Sequence, residues 1–214
     1  MTVFGSEQLI LASKSPRRRE LLDLVGLNFT IVPSGVDETI PAGTAPRDAV
    51  TMLSQAKAQA VASRYPAAVV VAADTVVVAY DARQQRERIL GQPVSDEEAL
   101  EMLEFLSGTL HHVYTSFSIH SLARKLAVTR RVESSVKFRQ LSAAEIAGYI
   151  RSGEGRDKAG AYGAQGLGSI FIEEIRGSFS NIVGLPLAEF ITELSSLGLW
   201  SPELMGAAKN DSDR

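Results

Sequence analysis

Ala67-Ala68-Val69-Val70-Val71-Ala72-Ala73-Asp74-Thr75-Val76-Val77-Val78-Ala79 is the stretch whose reading decides the fold class. Val and Ala dominate it with little alternation, as expected of a strand covered on both faces. Upstream, Gln8 to Ser13 reads as a first strand. A helix follows it, with Ser15 at the N-cap, Pro16 at the first helical position, Leu21, Leu22 and Val25 along one face, and Gly26 to end it. Asn28 to Val32 reads as a second strand. Pro46 to about Ala62 reads as a helix with Val50, Leu53, Ala60 and Val61 on one stripe.

Downstream, the polar segment Asp81 to Arg86 is a hairpin turn leading into Glu87–Leu90. Ser95 with Glu98, and Ser142 with Glu145, are capping boxes. The first opens a helix that ends near Gly108, and the second a helix that runs to about Arg151. Tyr114–Ser121 and Leu126–Phe138 read as long neighbouring strands, Ser169–Arg176 as another strand, and Pro186–Leu197 as the last helix. Strands and helices alternate for most of the chain, so the class is α/β. Residues 1–205 are expected to form the domain, and 206–214 a frayed, disordered tail.

Composition narrows the function. A chain of 214 residues suits one well-buried domain, or two lobes sharing a cleft. Its net charge of −3 argues against broad binding to DNA or RNA, yet leaves room for a local basic pocket. The absence of cysteine excludes disulfides, thiolate metal sites and a thiol nucleophile. Met1–Gln8 has no basic region leading into an apolar stretch. The longest apolar run, Ala67–Ala73, is far too short to span a bilayer, so a cytosolic protein without membrane contact is expected. His111 and His112 point to opposite sides of a strand, and no metal site shared by them is expected.

Chemistry is visible in three places. Ser13-Lys14-Ser15-Pro16-Arg17-Arg18-Arg19 lies at a strand-to-helix junction, where unpaired N–H groups and the positive dipole end suit phosphate. Cations in a first helical turn are unfavourable in isolation, and an anion would repair that conflict; a solvated basic turn balanced by Glu20 and Asp23 is the plain alternative. Asp74, inside the apolar strand, is costly unless a cation, a metal or hydrogen-bond donors meet it. It suits a hard divalent ion or a general base for water. Asp157-Lys158-Ala159-Gly160-Ala161-Tyr162-Gly163-Ala164-Gln165-Gly166 is a Gly-rich loop, in which Lys158 and Gln165 offer a charge and an amide. Its spacing is neither the P-loop nor the dinucleotide fingerprint. Lys57 shares a helical stripe with Leu53 and Ala60, so its stem points inward, although lysines on such faces often snorkel outward.

Taken in order, these segments resemble the Maf family of nucleotide pyrophosphatases from about Leu9 to Leu197. The family's LASxSPRR is Leu11 to Arg18, its ADT is Ala73-Asp74-Thr75, its DKAGAYGxQG is Asp157 to Gly166, and its VGLPL is Val183 to Leu187. The resemblance implies a single catalytic domain with an elongated mixed sheet flanked by helices. Two lobes would enclose a cleft, in a fold related to the inosine triphosphate pyrophosphatases. It also implies that Ser13, Arg18 and Lys57 bind phosphate, and that Glu38 and Asp74 serve a Mg2+ or Mn2+ ion and the attacking water, with Asp74 as base. Arg17, Thr75, Lys158 and Gln165 join them in binding substrate. A homodimer would be unsurprising.

The branch of the family acting on 7-methylguanosine triphosphate has an aromatic residue at the position of Arg17, Gln at Thr75 and a carboxylate at Gln165. A methylated guanine is cationic, and aromatic and acidic neighbours favour it. This chain instead resembles the branch acting on dTTP and UTP, which implies hydrolysis of those triphosphates to monophosphate and pyrophosphate. The alternative is a nucleotide-binding regulator of septum formation with little turnover. One departure from the pattern is Gln92 in place of the lysine of xGKP, for which Arg86 or Arg88 of the preceding hairpin would be substitutes.

Overall fold

The computed structural model describes residues 7–41 and 43–204. The expected tail, and most of the segment read for a leader, lie outside these residues. Seven strands form one mixed sheet: β1 Leu9–Leu11, β2 Thr30–Ile31, β3 Val69–Asp81, β4 Arg86–Leu90, β5 Leu110–Ser121, β6 Leu126–Phe138 and β7 Ile172–Arg176. Their order is β2-β1-β3-β5-β6-β7, with β4 also paired to β3. β1 runs parallel to β2 and β3, and every other pairing is antiparallel.

β3 is the strand on which the rest is hung. One edge pairs with β5 from Val70 to Val78. The other edge is shared: β1 takes Val69–Val71, and β4 takes Val77–Asp81. Between them, Ala72 to Val76 have no strand partner on that edge, and Asp74-Thr75 sits in the fork.

The apolar side chains divide at the same place. Successive strand residues face opposite ways, so Val69, Val71 and Ala73 share a face with Thr75, Val77 and Ala79. The first three pack with Leu22, Phe117, Phe190 and Leu194, and the last two with Leu103, Leu106, Phe138 and Phe171. On the opposite face, Val70 and Ala72 pack with Ala58 and Val61, while Val76 and Val78 pack with Val50 and Tyr114. The expected strand covered on both faces is therefore present, with a polar break at Asp74-Thr75 dividing the core into two lobes.

Among the described residues, six α-helices cover the sheet: α1 Pro16–Leu24, α2 Pro46–Ala62, α3 Asp96–Leu106, α4 Ala143–Ser152, α5 Phe179–Val183 and α6 Leu187–Ser196. α2 lies alone on one face and has the limits read from its sequence, as does β6. α1 and α6 cover one lobe of the opposite face, and α3 and α4 the other.

Three expectations are corrected. β5 starts at Leu110 rather than Tyr114, because Leu110 to Val113 find partners in Lys137 to Ser134 of β6. Leu167–Phe171 is a 3-10 turn and only Ile172–Arg176 is strand, since Phe171 turns inward onto Phe138 and Tyr149. At α3, Ser95 caps Glu98 N–H, but the Glu98 carboxylate accepts from Val94 N–H instead of closing the box on Ser95. α5, capped by Ser178, was not expected at all.

The capping box at α4 is complete in both directions. Glu145 also takes a bond from Arg139 at 2.6 Å. Arg139, together with the Ser142 amide and hydroxyl, holds the Glu145 carboxyl down at about 2, against an ordinary 4.5. The folded state therefore binds this proton less readily than the unfolded state. Its stabilisation is present above pH 4.5 and is lost as pH falls toward 2. Glu145→Gln is expected to lower the urea midpoint at pH 6, with the gap to the parent protein closing on acidification.

Candidate active site

The fork in the sheet opens into a cleft of about 860 Å3. After β1 the chain turns at Ser13 into α1, so the helix N-terminus is aimed at the fork. Ser15 Oγ caps it by accepting from Arg18 N–H, and Pro16 occupies the first turn without a donor to lose. Arg18 turns back over the sheet. Its Nε donates to Gly184 O at 2.9 Å, Nη1 to Ser13 Oγ at 3.3 Å and Nη2 to Thr75 Oγ1 at 3.1 Å.

Thr115 Oγ1 donates to Asn181 O at 2.8 Å, so its contact with Thr75 Oγ1 at 2.9 Å must be one in which Thr75 donates. The chain of donors therefore runs Arg18 to Thr75 to Thr115 to the backbone. Burial lowers the Arg18 pKa, and the nearby Asp74 charge opposes that shift. The Thr75 hydroxyl thus accepts from Arg18 and donates to Thr115.

Asp74 points to the other face of β3, against α2. Lys57, buried on α2, extends along the sheet and donates from Nζ to Asp74 Oδ1 at 2.7 Å, with Glu38 Oε2 2.8 Å away. The inward stem read from its helical stripe is correct, and it does not snorkel. Burial pushes the Asp74 carboxyl above the ordinary carboxylate range, although Lys57 and Arg18 pull against that shift. Glu38 stands on the loop between β2 and α2, next to a turn in which Asp37 accepts from Thr39 N–H and its hydroxyl.

The second jaw is the Gly-rich loop. Asp157 is its hub: its carboxylate takes Arg17 at 2.9 Å and Lys158 at 2.6 Å. Its carbonyl takes Arg17 at 3.2 Å and Gln92 at 3.1 Å. Burial raises the Asp157 pKa, but these cations prevail and hold it low. Arg17 thus bridges the cleft from α1 to the loop. Gly160 needs its positive φ of 71°, and a Cβ there would meet the Val77 side chain at 3.1 Å.

A family profile described as Maf-like protein matches residues 8–197. The chain belongs to that family. A Syntrophus aciditrophicus protein named dTTP/UTP pyrophosphatase is 45% identical over 193 residues, covering 90% of this chain and 91% of that protein. A Geobacillus protein of the same name is 45% identical over 192 residues, covering 90% of this chain and 99% of its own length. A likeness to the structure of the Staphylococcus aureus Ham1 protein has a TM-score of 0.42 and 13% identity, over 62% of this chain and 72% of that one.

In this Maf-like chain, every residue singled out from the sequence lines the one cleft: Ser13, Arg17, Arg18, Glu38, Lys57, Asp74, Thr75, Lys158 and Gln165. Arg86 and Arg88 do not. Arg86 bonds Gln84 and Arg88 lies over Phe105, so neither stands in for the lysine that Gln92 replaces. The structural roles of Glu154 and Asp157 were missed, though both stand at the start of a loop recognised by its glycines. His111 and His112 face apart as expected, with His111 buried on Phe138 and Tyr162. Among the described residues, no three His, Cys, Asp or Glu side chains converge as a metal site, and no helix is long and apolar enough to cross a membrane.

Thr75→Val keeps the shape of the strand but leaves Arg18 Nη2 and Thr115 short of a partner. The expected loss of stability is about 1–3 kcal/mol, read by urea denaturation and recovered by Thr75→Ser.

Proposed function

We propose that this protein hydrolyses dTTP and UTP to the nucleoside monophosphate and pyrophosphate in the cytosol, with Asp74 activating water. The observation that carries this reading is the Asp74–Lys57–Glu38 cluster at the sheet fork, facing the cationic N-terminus of α1. The 45% identity to proteins named dTTP/UTP pyrophosphatase supports the substrate class.

The chemistry follows from the positions. Ser13 Oγ, Arg18 and the first N–H groups of α1 offer the cleft a phosphate cradle. Lys57 supplies a further cation beside it. Asp74, lifted by burial, is a stronger base than an exposed aspartate, and accepting a proton from water relieves the cost of its buried charge.

Glu38 and Asp74 also fit a hard divalent cation, Mg2+ or Mn2+, which we propose as cofactor. They offer carboxylate oxygens from two separate elements, and Asp74 Oδ2 and Glu38 Oε1 have no partner among the described residues. When bound, such an ion supplies Lewis acidity and offsets charge on the leaving pyrophosphate.

On the base side, the exposed amide of Gln165 both donates and accepts, which suits the edge of an uncharged pyrimidine. Arg17 disfavours a cationic methylated guanine, although Asp157 balances part of its charge. Gln92 adds no charge and is tied to the Asp157 carbonyl, so Arg17 and Lys158 are the cations of that jaw.

A metal-supplemented assay of purified protein should release pyrophosphate and monophosphate from dTTP and UTP. Nucleotide binding without turnover would favour the regulatory alternative, and orthophosphate with diphosphate would place the cleavage elsewhere. Asp74→Asn is expected to cut kcat by about 10^2–10^4-fold while the protein stays folded. Comparing kcat/KM for dTTP, UTP, CTP and 7-methylguanosine triphosphate tests the base preference; dTTP and UTP should lead, and equal values would refute it.

A further inference from the structure

The segment that carries Gln165 is held by two residues outside the phosphate side of the cleft. Tyr149, on α4, donates from its hydroxyl to Glu154 Oε1 at 3.0 Å and accepts from Gly163 N–H at 3.0 Å. The Glu154 carboxylate in turn accepts from Leu167 N–H at 2.8 Å and from Gly168 N–H at 2.9 Å. These bonds from Gly168 and Leu167 keep Glu154 ionised, outweighing the opposing effect of burial. The three anchored amides bracket Ala164-Gln165-Gly166. Gln165 itself is exposed at the cleft, and its side chain makes no hydrogen bond among the described residues.

Packing leaves this bracket no slack. A Cβ on Gly168 would lie 2.4 Å from Gly163 O and 3.0 Å from the Tyr149 hydroxyl. The two ends of the segment therefore touch, and the Tyr149–Glu154 pair sits where they meet. Tyr149 is fixed in turn by its ring, which packs edge-on against buried Phe171. A surface glutamine on a loose loop would read a base poorly, because ordering it would oppose binding. A glutamine on a held backbone has only its own side chain to order.

We infer that Tyr149 and Glu154 are positioning residues for base recognition, holding Ala164-Gln165-Gly166 so that the Gln165 amide meets the pyrimidine edge. This rests on Gln165 reading the base, as proposed above. Glu154→Gln replaces an acceptor with an NH2 group facing a backbone N–H, which breaks one anchor and keeps the volume. Tyr149→Phe keeps the ring packing on Phe171 and removes the hydroxyl that links Gly163 to Glu154, so it serves where the first variant folds poorly.

The test is kcat and KM of the metal-loaded enzyme for dTTP and CTP, for each variant alone and combined with Gln165→Ala. Each single variant should lower the dTTP-over-CTP ratio of kcat/KM by roughly tenfold, with the loss carried mainly by KM. In the Gln165→Ala background, the same change should lower the ratio no further, because it acts through a side chain already removed. An unchanged ratio, an equal loss for both nucleotides, or a full additional loss in the Gln165→Ala background would each overturn the inference. A parent enzyme with no preference for dTTP over CTP would instead remove the base reading, and the positioning role with it.

Discussion

A carboxylate in the middle of an apolar strand is the constraint around which this molecule is arranged. Asp74 is nearly buried, and an unpaired charge there would prevent the strand from being stable. The fold answers with Lys57 from α2 at 2.7 Å and with the Arg18 charge nearby. Both cations need their own placement. Lys57 requires α2 to cross β3 at this point, and Arg18 requires α1 to start immediately after β1. The division of one edge of β3 between β1 and β4 makes room for both. Had a single strand paired along that whole edge, its backbone would fill the gap beside Asp74-Thr75 where the cleft now opens.

The same reasoning explains why so many cations coexist in one pocket. Three of them carry an internal counter-ion: Lys57 has Asp74 and Glu38, while Arg17 and Lys158 share Asp157. Arg18 instead has its donors aimed at a carbonyl and two hydroxyls. Those partners fix its geometry without neutralising it. A polyanion entering the cleft therefore meets a guanidinium without a direct ion pair at the α1 N-terminus and several cations that must be shared with carboxylates. Attraction is strongest where the helix dipole also points, which gives an incoming triphosphate a preferred end.

Much of this was legible in the sequence for identifiable reasons. α2 and β6 have ends marked by local chemistry, a proline in the first helical turn and a long apolar-to-polar run against a neighbour. The cost of placing Asp74 between Ala73 and Thr75 was visible from the apolar run around it. The site residues converged because β1 with the start of α1, the interior of α2 and the Gly-rich loop all lie beside the middle of β3. The less legible parts depend on tertiary contacts. The early start of β5 is set by its partner, and the inward turn of Phe171 by a core assembled from distant segments. Thr75 shows the same limit within the site. Its motif marks it for substrate, and the bonds its hydroxyl makes to Arg18 and Thr115 are revealed only by the pairing of β3 with β5.

The two jaws also differ in how they are held. The phosphate side is built on a strand, a helix N-terminus and a helix that crosses the sheet, so its groups move only if the core moves. The Gly-rich side is a loop, and a loop keeps a shape only where its backbone groups have partners. Gly160 N–H bonds to Gly91 O, Gly163 N–H to Tyr149, and Leu167 and Gly168 N–H to Glu154. These anchors fall on both sides of Gln165 and none uses its side chain. Arg17, reaching from α1 to Asp157, is the link between the rigid jaw and the anchored one. The chemistry of the phosphates and the choice of base are thereby placed on structurally separate supports, so residues on one can change without dismantling the other.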